Sequence, residues 1–310
     1  MSFQEKYSEI FGVVADEIEQ VKQELLSGIE LEEPLKSKLL EILNAPSKHI
    51  RAVVAFLVLK AFDCEITQKQ IALQAAIELV HNASLIHDDI IDESQNRRGV
   101  ETLNSLFEPK LAIITGDYLI SLALKKIRLL NSFEIIDMFA QTLDDMCQGE
   151  VSQQFSKFKI PTIEEYIKKT KQKTAKLFET AICGSLSLVA STESHIVPTG
   201  RGKNFLKNVS ELRNSDEGYN LSDFAKAFGV AFQIRDDLIN AKTSKSDFKD
   251  GIYTAPVIFA GSVEEFENGI EKTQDLLNNY IKCAKKEIEK FQESEYKTVL
   301  IELLGLIKDE

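Results

Sequence analysis

Residues 79–92 read Leu-Val-His-Asn-Ala-Ser-Leu-Ile-His-Asp-Asp-Ile-Ile-Asp, an apolar-rich run that ends in three carboxylates. Apolar residues recur in it at helical intervals, which is typical of an α-helix with one buried face. Asp88 and Asp92 are four residues apart, and Asp89 and Asp92 are three apart, so we expect all three carboxylates on one helix face. Like charges at this spacing destabilise a helix by about 0.2–0.5 kcal/mol per pair, which favours a bound cation. Mg²⁺ suits the group because it binds one or two carboxylates and completes its shell with phosphate and water.

The same periodicity recurs along almost the whole chain, and strand-like alternation is not convincing anywhere. The predicted helices cover residues 3–27, 34–43, 48–63, 67–95, 104–126, 132–158, 163–192, 222–242, 263–290 and 294–308. Thr162 and Glu165 form the pattern of a capping box at the start of one of them. With only 14 glycines and 6 prolines in 310 residues, the chain is too poor in turn residues for a β-sandwich or barrel.

We therefore expect one all-α domain over residues 1–310, built from about ten or more helices. A long irregular excursion, rich in glycine, proline and polar residues, interrupts the pattern at about residues 191–220.

The net charge of −12 disfavours nucleic acid as a partner, because an acidic surface repels phosphate backbones. The four cysteines show neither disulfide nor zinc spacing, which indicates a reducing compartment. The N-terminus does not resemble a signal peptide, and the longest apolar run, residues 52–59, is too short to cross a bilayer. We expect a cytoplasmic protein.

Two further aspartate pairs differ in what surrounds them. Asp236-Asp237 is followed at the i+4 position by Asn240, a neutral oxygen ligand, and is a second candidate metal site. Asp144-Asp145 has Gln148 there and no basic cluster after it, which favours a surface or structural role. Basic residues that could bind a diphosphate occur at several positions, although any one of them alone is more often a solvated charge: Lys48, Arg51, Arg97, Arg98 and Lys173.

Taken together, these motifs resemble the trans-isoprenyl diphosphate synthases, or polyprenyl synthetases, from about Lys48 to Pro256. The matching segments are Asp88-Asp89-Ile90-Ile91-Asp92, Arg97-Arg98-Gly99, Thr115-Gly116-Asp117, Gly149-Glu150-Val151-Ser152-Gln153, Lys173-Thr174-Ala175, Gly229-Val230-Ala231-Phe232-Gln233, Asp236-Asp237 and Thr254-Ala255-Pro256. The chain departs from the family pattern at His49, Asn240 and Ile252, where an arginine, an aspartate and a lysine are usual. The loop between the lysine motif and the second aspartate motif is also longer than usual.

The resemblance implies an all-α bundle around a central cavity. It also implies condensation of an allylic diphosphate, here farnesyl diphosphate, with successive isopentenyl diphosphates on three Mg²⁺ ions. The implied roles are metal binding by Asp88, Asp92 and Asp236, supported by Asp89 and Asp237; pyrophosphate binding by Arg97, Lys173 and Lys242; isopentenyl diphosphate binding by Lys48, Arg51, His81 and Arg98; and shielding of the allylic cation by Thr174 and Gln233. The resemblance further implies a homodimer that has at most peripheral membrane contact during product release.

Product length follows from the side chains below the first aspartate motif. Ala83 and Ser84 lie about one helical turn before Asp88, where short-chain members commonly carry aromatic residues. Both are small here, so we expect an open tunnel with a deeper floor at Met138 or Phe139. A product of about six to eight isoprene units follows, of the kind used for quinone side chains.

Two other functions fit part of the pattern. A class I terpene cyclase also uses an aspartate-rich motif, but it needs no isopentenyl diphosphate site. A catalytically weak partner subunit of a heteromeric synthase could explain the three substitutions at His49, Asn240 and Ile252.

Overall fold

The computed structural model describes residues 3–192, 220–243, 251–261 and 266–308, and they are almost entirely helical. The helices of the N-terminal half are α1 (Phe3–Gly12), α2 (Ala15–Leu26), α3 (Leu35–Asn44), α4 (Ile50–Ala61), α5 (Gln68–Ile91), α6 (Leu103–Leu106), α7 (Pro109–Leu129) and α8 (Phe133–Ser156). Those of the C-terminal half are α9 (Ile163–Thr170), α10 (Lys176–Thr192), α11 (Leu221–Lys242), α12 (Ala255–Ala260), α13 (Phe266–Glu289) and α14 (Glu295–Lys308). The all-α prediction is confirmed. The excursion predicted at about 191–220 falls almost wholly outside the described residues.

The helix starts follow from local sequence. Thr162 and Glu165 form the expected capping box at α9, since the Glu165 N–H donates to Thr162 Oγ1 at 3.2 Å and the Thr162 N–H donates to Glu165 Oε2 at 2.8 Å. Thr67 and Gln70 cap α5 in the same way. Pro109 occupies the first turn of α7, where its missing N–H costs no hydrogen bond.

Four of the predicted helices were wrong in detail. The helix predicted over 104–126 is divided at Phe107 and Glu108 into α6 and α7. The helix predicted over 3–27 breaks between Gly12 and Ala15, where i→i+3 bonds close the last turn of α1. The helix predicted over 67–95 ends at Ile91, because Glu93 takes a left-handed φ of 49°. Residues 171–175 form one π-helical turn between α9 and α10.

A two-stranded hairpin, which the sequence did not suggest, follows α5. Strand β1 (Asn96–Arg97) pairs antiparallel with β2 (Val100–Glu101). The turn is formed by Arg98 and Gly99, both with positive φ (53° and 79°), which is the geometry of a tight two-residue hairpin loop. Arg97 and Arg98 therefore lie in a hairpin that follows the end of α5.

The chain divides into two compact units. The α5 unit comprises Ala15–Val53 and Ile66–Ile136, and within it α5 packs along α7 and against α2. The α11 unit comprises Met1–Val14, Val54–Glu65 and Asp137–Glu310, and within it α11 packs between α10 and α13. Aromatic rings fill the core of the second unit, with the ring centroids of Phe178 and Phe228 5.4 Å apart.

Among the described residues, no helix is long and apolar enough to cross a membrane.

Candidate active site

The first aspartate motif closes α5. Asp88 is half-buried and Asp92 exposed, and the Asp92 N–H donates to the Asp88 carbonyl at 2.9 Å, so the two side chains are one helical turn apart. No three histidine, cysteine, aspartate or glutamate side chains converge on one point within the described ranges. Two carboxylates at an exposed helix end nevertheless fit Mg²⁺, which takes few protein ligands and completes its shell from phosphate and water.

Asp89 lies at the same helix end, but its side chain is buried, and burial together with the nearby charge of Asp92 acts to raise its pKa. It is 5% exposed, and Arg97 Nε donates a hydrogen bond of 2.6 Å to its Oδ1. Asn104 Nδ2 donates to the carbonyls of Asp89 and Ser94, both at 3.1 Å. Burial raises the pKa of Asp89, and the charge of Arg97 opposes that rise. Asp89 therefore connects the hairpin to the end of α5 and supports the first aspartate motif from its buried side.

The basic residues predicted to bind isopentenyl diphosphate lie in the same α5 unit. Arg51 is buried in the first turn of α4, Lys48 is exposed just before it, and Arg98 occupies the hairpin turn. His81 lies on α5, where burial, together with the charges of Arg51 and Arg98, holds its pKa well below the ordinary value. At neutral pH, His81 is therefore a neutral imidazole beside two guanidinium groups.

One buried carboxylate in this group was missed by the sequence reasoning. Glu78 lies three residues before His81, and its Oε2 accepts a hydrogen bond from His49 Nδ1 at 3.0 Å. The available signal was a lone acidic residue within the otherwise uncharged stretch from 70 to 80. Charged side chains are rarely buried unless they are paired.

The second aspartate motif lies on α11. Asp237 is 4% exposed, and both of its oxygens accept hydrogen bonds: Oδ2 from the Tyr166 hydroxyl at 2.6 Å and Oδ1 from Gln233 Nε2 at 2.8 Å. Thr174 Oγ1 donates to Gln233 Oε1 at 2.8 Å, which extends this series of hydrogen bonds from Asp237 to the π-turn. Tyr166, which no motif indicated, is therefore the anchor of this aspartate.

Asp236 has the more exposed carboxylate of the pair. Its side chain is 45% exposed, and Arg235 Nη1 donates to its Oδ1 at 3.3 Å. Asn240 lies one turn further along α11, and Lys242 is exposed at the end of the helix. The arrangement gives one exposed carboxylate with a neutral amide at i+4, as the sequence predicted.

Lys173 lies in the π-turn and forms an ion pair with Glu150 of α8. Burial by itself raises the pKa of Glu150, but the charge and hydrogen bond of Lys173 outweigh it and lower the pKa. π-turns often occur at functional sites because they reorient side chains within a helix. Here the turn presents Lys173 to Glu150 and Thr174 to Gln233.

A cleft of about 520 Å³ opens in the α11 unit beside these residues. Its lining includes Lys159, Lys168 and Lys169 as well as Ile252, the residue that replaces the family's usual lysine. Positive charge is therefore present in this cleft despite the substitution.

The residues predicted to set product length lie in both units. Ala83 is fully buried on α5, and Ser84 Oγ beside it donates to the His81 carbonyl at 2.8 Å. On α8, Phe139 is buried at 1% exposure and Met138 is half-buried.

Comparison with known proteins shows which family this chain resembles. The sequence profile described as polyprenyl synthetase matches residues 32–297. The chain is 30% identical to solanesyl diphosphate synthase 2, chloroplastic, of Arabidopsis thaliana, with 95% of this chain and 75% of the relative covered. It is also 30% identical to decaprenyl-diphosphate synthase of Dictyostelium discoideum, covering 84% of this chain but only 59% of that relative.

A solved structure shares the fold. Polyprenyl synthase from Caulobacter crescentus, complexed with calcium and isoprenyl diphosphate, superposes with a TM-score of 0.82 over 98% of each chain at 19% identity.

Proposed function

The chain belongs to the polyprenyl synthetase family of prenyltransferases, and we propose that it condenses an allylic diphosphate, such as farnesyl diphosphate, with successive isopentenyl diphosphates. The observation that carries the proposal is the composition of the α5 unit. It combines two carboxylates at the end of α5, the half-buried Asp88 and the exposed Asp92, with the basic residues Arg51, His81 and Arg98. The two carboxylates can bind metal, and the basic residues can bind a diphosphate.

Asp88, Asp92 and Asp236 would hold Mg²⁺, three ions in the proposed enzyme. When bound, the ions would neutralise the diphosphate and stabilise negative charge on the pyrophosphate that leaves. Asp89 and Asp237 hold no metal in this proposal, because each is buried and committed to hydrogen bonds within the protein.

The basic residues divide between the two substrates. Lys48, Arg51, His81 and Arg98 bind isopentenyl diphosphate, and Lys173 and Lys242 bind the pyrophosphate of the allylic substrate. Arg97 contributes to that site as well, through the part of its guanidinium not bonded to Asp89. Thr174 and Gln233 present oxygen atoms to the allylic cation while the surrounding apolar side chains exclude water.

The chain length of the product is the finer part of the proposal. The relatives are named for solanesyl and decaprenyl products, of nine and ten isoprene units, which exceed the six to eight expected from the sequence. We therefore propose a product of nine or ten units. In this proposal the small side chains of Ala83 and Ser84 admit the growing chain, and Met138 or Phe139 limits its length.

One incubation tests the activity against both alternatives. Purified protein is given farnesyl diphosphate, labelled isopentenyl diphosphate and Mg²⁺, and the dephosphorylated products are sized by chromatography. Linear polyprenyl products of graded length support the proposal. Cyclic hydrocarbon made without isopentenyl diphosphate would instead indicate a terpene cyclase. No elongation until a second subunit is added would indicate the weak partner subunit, the alternative that would explain the substitutions at His49, Asn240 and Ile252.

A homodimer is also proposed. Several large apolar side chains of the α5 unit are exposed, including Ile114, Leu129 and Phe133 at 59%, 70% and 92%. A second copy of the chain would bury them. The cytoplasmic location remains a prediction.

A further inference from the structure

Glu78 is a buried charge that the proposed mechanism does not use. It is 2% exposed, and its partner His49 is 7% exposed. One carboxylate oxygen, Oε2, accepts the hydrogen bond from His49 Nδ1, and no described residue donates a hydrogen bond to Oε1. A buried ion persists only where surrounding charges stabilise it, because its desolvation is costly.

The surrounding charges are those of the proposed isopentenyl diphosphate site. Burial by itself raises the pKa of Glu78, but the hydrogen bond from His49 and the electrostatic interactions with His49, His81 and Arg51 lower it to about 2. Glu78 in turn acts on the pKa values of His81 and Arg98. The carboxylate therefore lies close to the basic groups of that site.

A negative charge in this place opposes the binding of a diphosphate by simple electrostatics. The position of His49 suggests what offsets that cost. His49 stands between Lys48 and Arg51, directly before α4, and takes a left-handed backbone with φ of 47°. This conformation is unfavourable for a residue with a side chain, so it needs a fixed anchor. The bond to Glu78 ties the segment to α5, the helix that carries His81.

We propose that Glu78 and His49 form a positioning pair that holds Lys48 and Arg51 against α5 in the geometry that binds isopentenyl diphosphate. Neither residue touches the substrate in this proposal. It rests on the proposed function, because it assigns the substrate of this basic group. The pair also explains how the chain accommodates histidine where the family usually has arginine.

The test separates positioning from charge and from stability. Glu78→Gln keeps the side-chain shape and removes the charge. His49→Leu removes the donor, whereas His49→Asn keeps an amide N–H near the position of Nδ1 and tolerates a left-handed backbone. Glu179→Gln is the matched control, since Glu179 is a buried carboxylate of the α11 unit paired with Ser222, Lys176 and Lys226.

We expect Glu78→Gln and His49→Leu to raise the KM for isopentenyl diphosphate about tenfold, because misplacing a binding group by about 1 Å can cost a factor of this order or more. The KM for farnesyl diphosphate and kcat should change less than twofold. His49→Asn should stay close to the wild type. Glu179→Gln should lower thermal stability without changing either KM.

An unchanged or lower KM for isopentenyl diphosphate in Glu78→Gln would overturn the inference while leaving the proposed function intact. Calorimetric titration with isopentenyl diphosphate alone makes the two separable. Binding that weakens in Glu78→Gln supports the positioning pair even if the wild type forms no polyprenyl product. Equal binding by both proteins, or binding by neither, contradicts it.

Discussion

Tyr166 shows how a single hydroxyl can organise the second aspartate motif. Burial and the nearby charge of Asp237 hold the pKa of Tyr166 well above its usual value, so the hydroxyl stays protonated and donates to Asp237. Asp237 accepts a second bond from Gln233, which fixes both of its oxygens. Asp236 precedes Asp237 directly, and its orientation depends on this anchor.

Replacing Tyr166 with phenylalanine should therefore affect both stability and metal dependence. Loss of a buried hydrogen bond to a charged group should lower the free energy of unfolding by about 1–3 kcal/mol in urea denaturation. The Mg²⁺ concentration for half-maximal activity should rise because Asp236 is less well placed. Tyr280→Phe removes a half-buried hydroxyl from the same unit and should not change the Mg²⁺ dependence. An unchanged Mg²⁺ dependence in Tyr166→Phe would show that the hydroxyl has only a structural role.

The low pKa of Glu78 predicts how the free energy of unfolding changes at acid pH. Its pKa is about 2 in the folded protein against an ordinary 4.5, so it stabilises the fold fully above pH 4.5 and loses that contribution as the pH falls toward 2. In Glu78→Gln this contribution is absent. The difference in unfolding free energy between wild type and variant should thus shrink by about 3 kcal/mol across this window. Urea denaturation at several pH values measures it, and a difference that does not vary with pH would contradict the assignment. Substitution of the exposed Glu271 by glutamine is the control.

Substitutions at Ala83 test whether the growing product passes this residue. It is fully buried, and a phenylalanine there would fill the space that the proposed mechanism gives to the growing chain. Ala83→Phe should shorten the products by several isoprene units, as seen by thin-layer chromatography of the dephosphorylated alcohols. Ala83→Gly, which adds no bulk, should leave the length unchanged. If the phenylalanine variant is folded by circular dichroism and its products keep their length, the tunnel does not pass Ala83.

Sequence spacing predicted which residues form the candidate site better than it predicted what each side chain contacts. Asp88 and Asp92 follow from helical periodicity alone. The inward turn of Asp89 could not be foreseen, because it depends on Arg97 returning in a hairpin whose turn, Arg98-Gly99, resembles no standard hairpin signal. Tyr166 lies 71 residues from Asp237, a contact that no local pattern encodes.

The close packing of α11 against the π-turn depends on the absence of a side chain. A Cβ placed on Gly229 would lie 2.6 Å from the Cα of Ala175, closer than atoms can approach without movement of the backbone. The π-turn carries Lys173 and Thr174, so the packing of α11 controls the position of both. Glycine is therefore required at position 229 for α11 and the π-turn to approach this closely.

Gly229→Ala should lower the free energy of unfolding by about 3 kcal/mol, as expected of overpacking against rigid backbone. Gly305→Ala is the matched control, since it lies within α14 with no atom near its missing Cβ. That variant should be stabilised by about 0.5–1 kcal/mol because glycine disfavours helix. The two values come from chemical denaturation. Equal effects of the two substitutions would contradict the close approach.

Helix bounds were predictable to within a few residues for most elements because burial imposes the 3.6-residue period. The π-turn at 171–175 was not, since one extra residue in a turn leaves the apolar period almost unchanged. The short helix α12 (Ala255–Ala260) and the strands β1 and β2 are shorter than any periodic pattern can reveal.

The acidic charge and the exposed apolar surface of the protein indicate two different partners, metal ions and a second protein surface. The net charge of −12 falls partly on carboxylates that would bind metal, at 88, 92 and 236. The apolar surface of the α5 unit has another explanation. Its exposed side chains follow α7 and the start of α8: Ile113, Ile114, Leu124, Leu129, Phe133 and Ile136. Single exposed apolar residues are ordinary, but six of them along two consecutive helices favour an interface.

Charge placed on this surface should separate the proposed homodimer. In a two-fold symmetric interface each substitution is present twice, so Ile114→Asp with Leu129→Asp places four carboxylates in the buried area. We expect the mass from size exclusion with light scattering to fall from twice to once the chain mass of 34.9 kDa. Asn279→Asp adds a negative charge on the exposed surface of α13 and should leave the dimer intact. A double variant that remains dimeric would place the interface elsewhere, and a monomeric wild type would refute the dimer itself. Since the family's metal and diphosphate residues all lie within one chain here, the separated variant should retain measurable elongation if it stays folded.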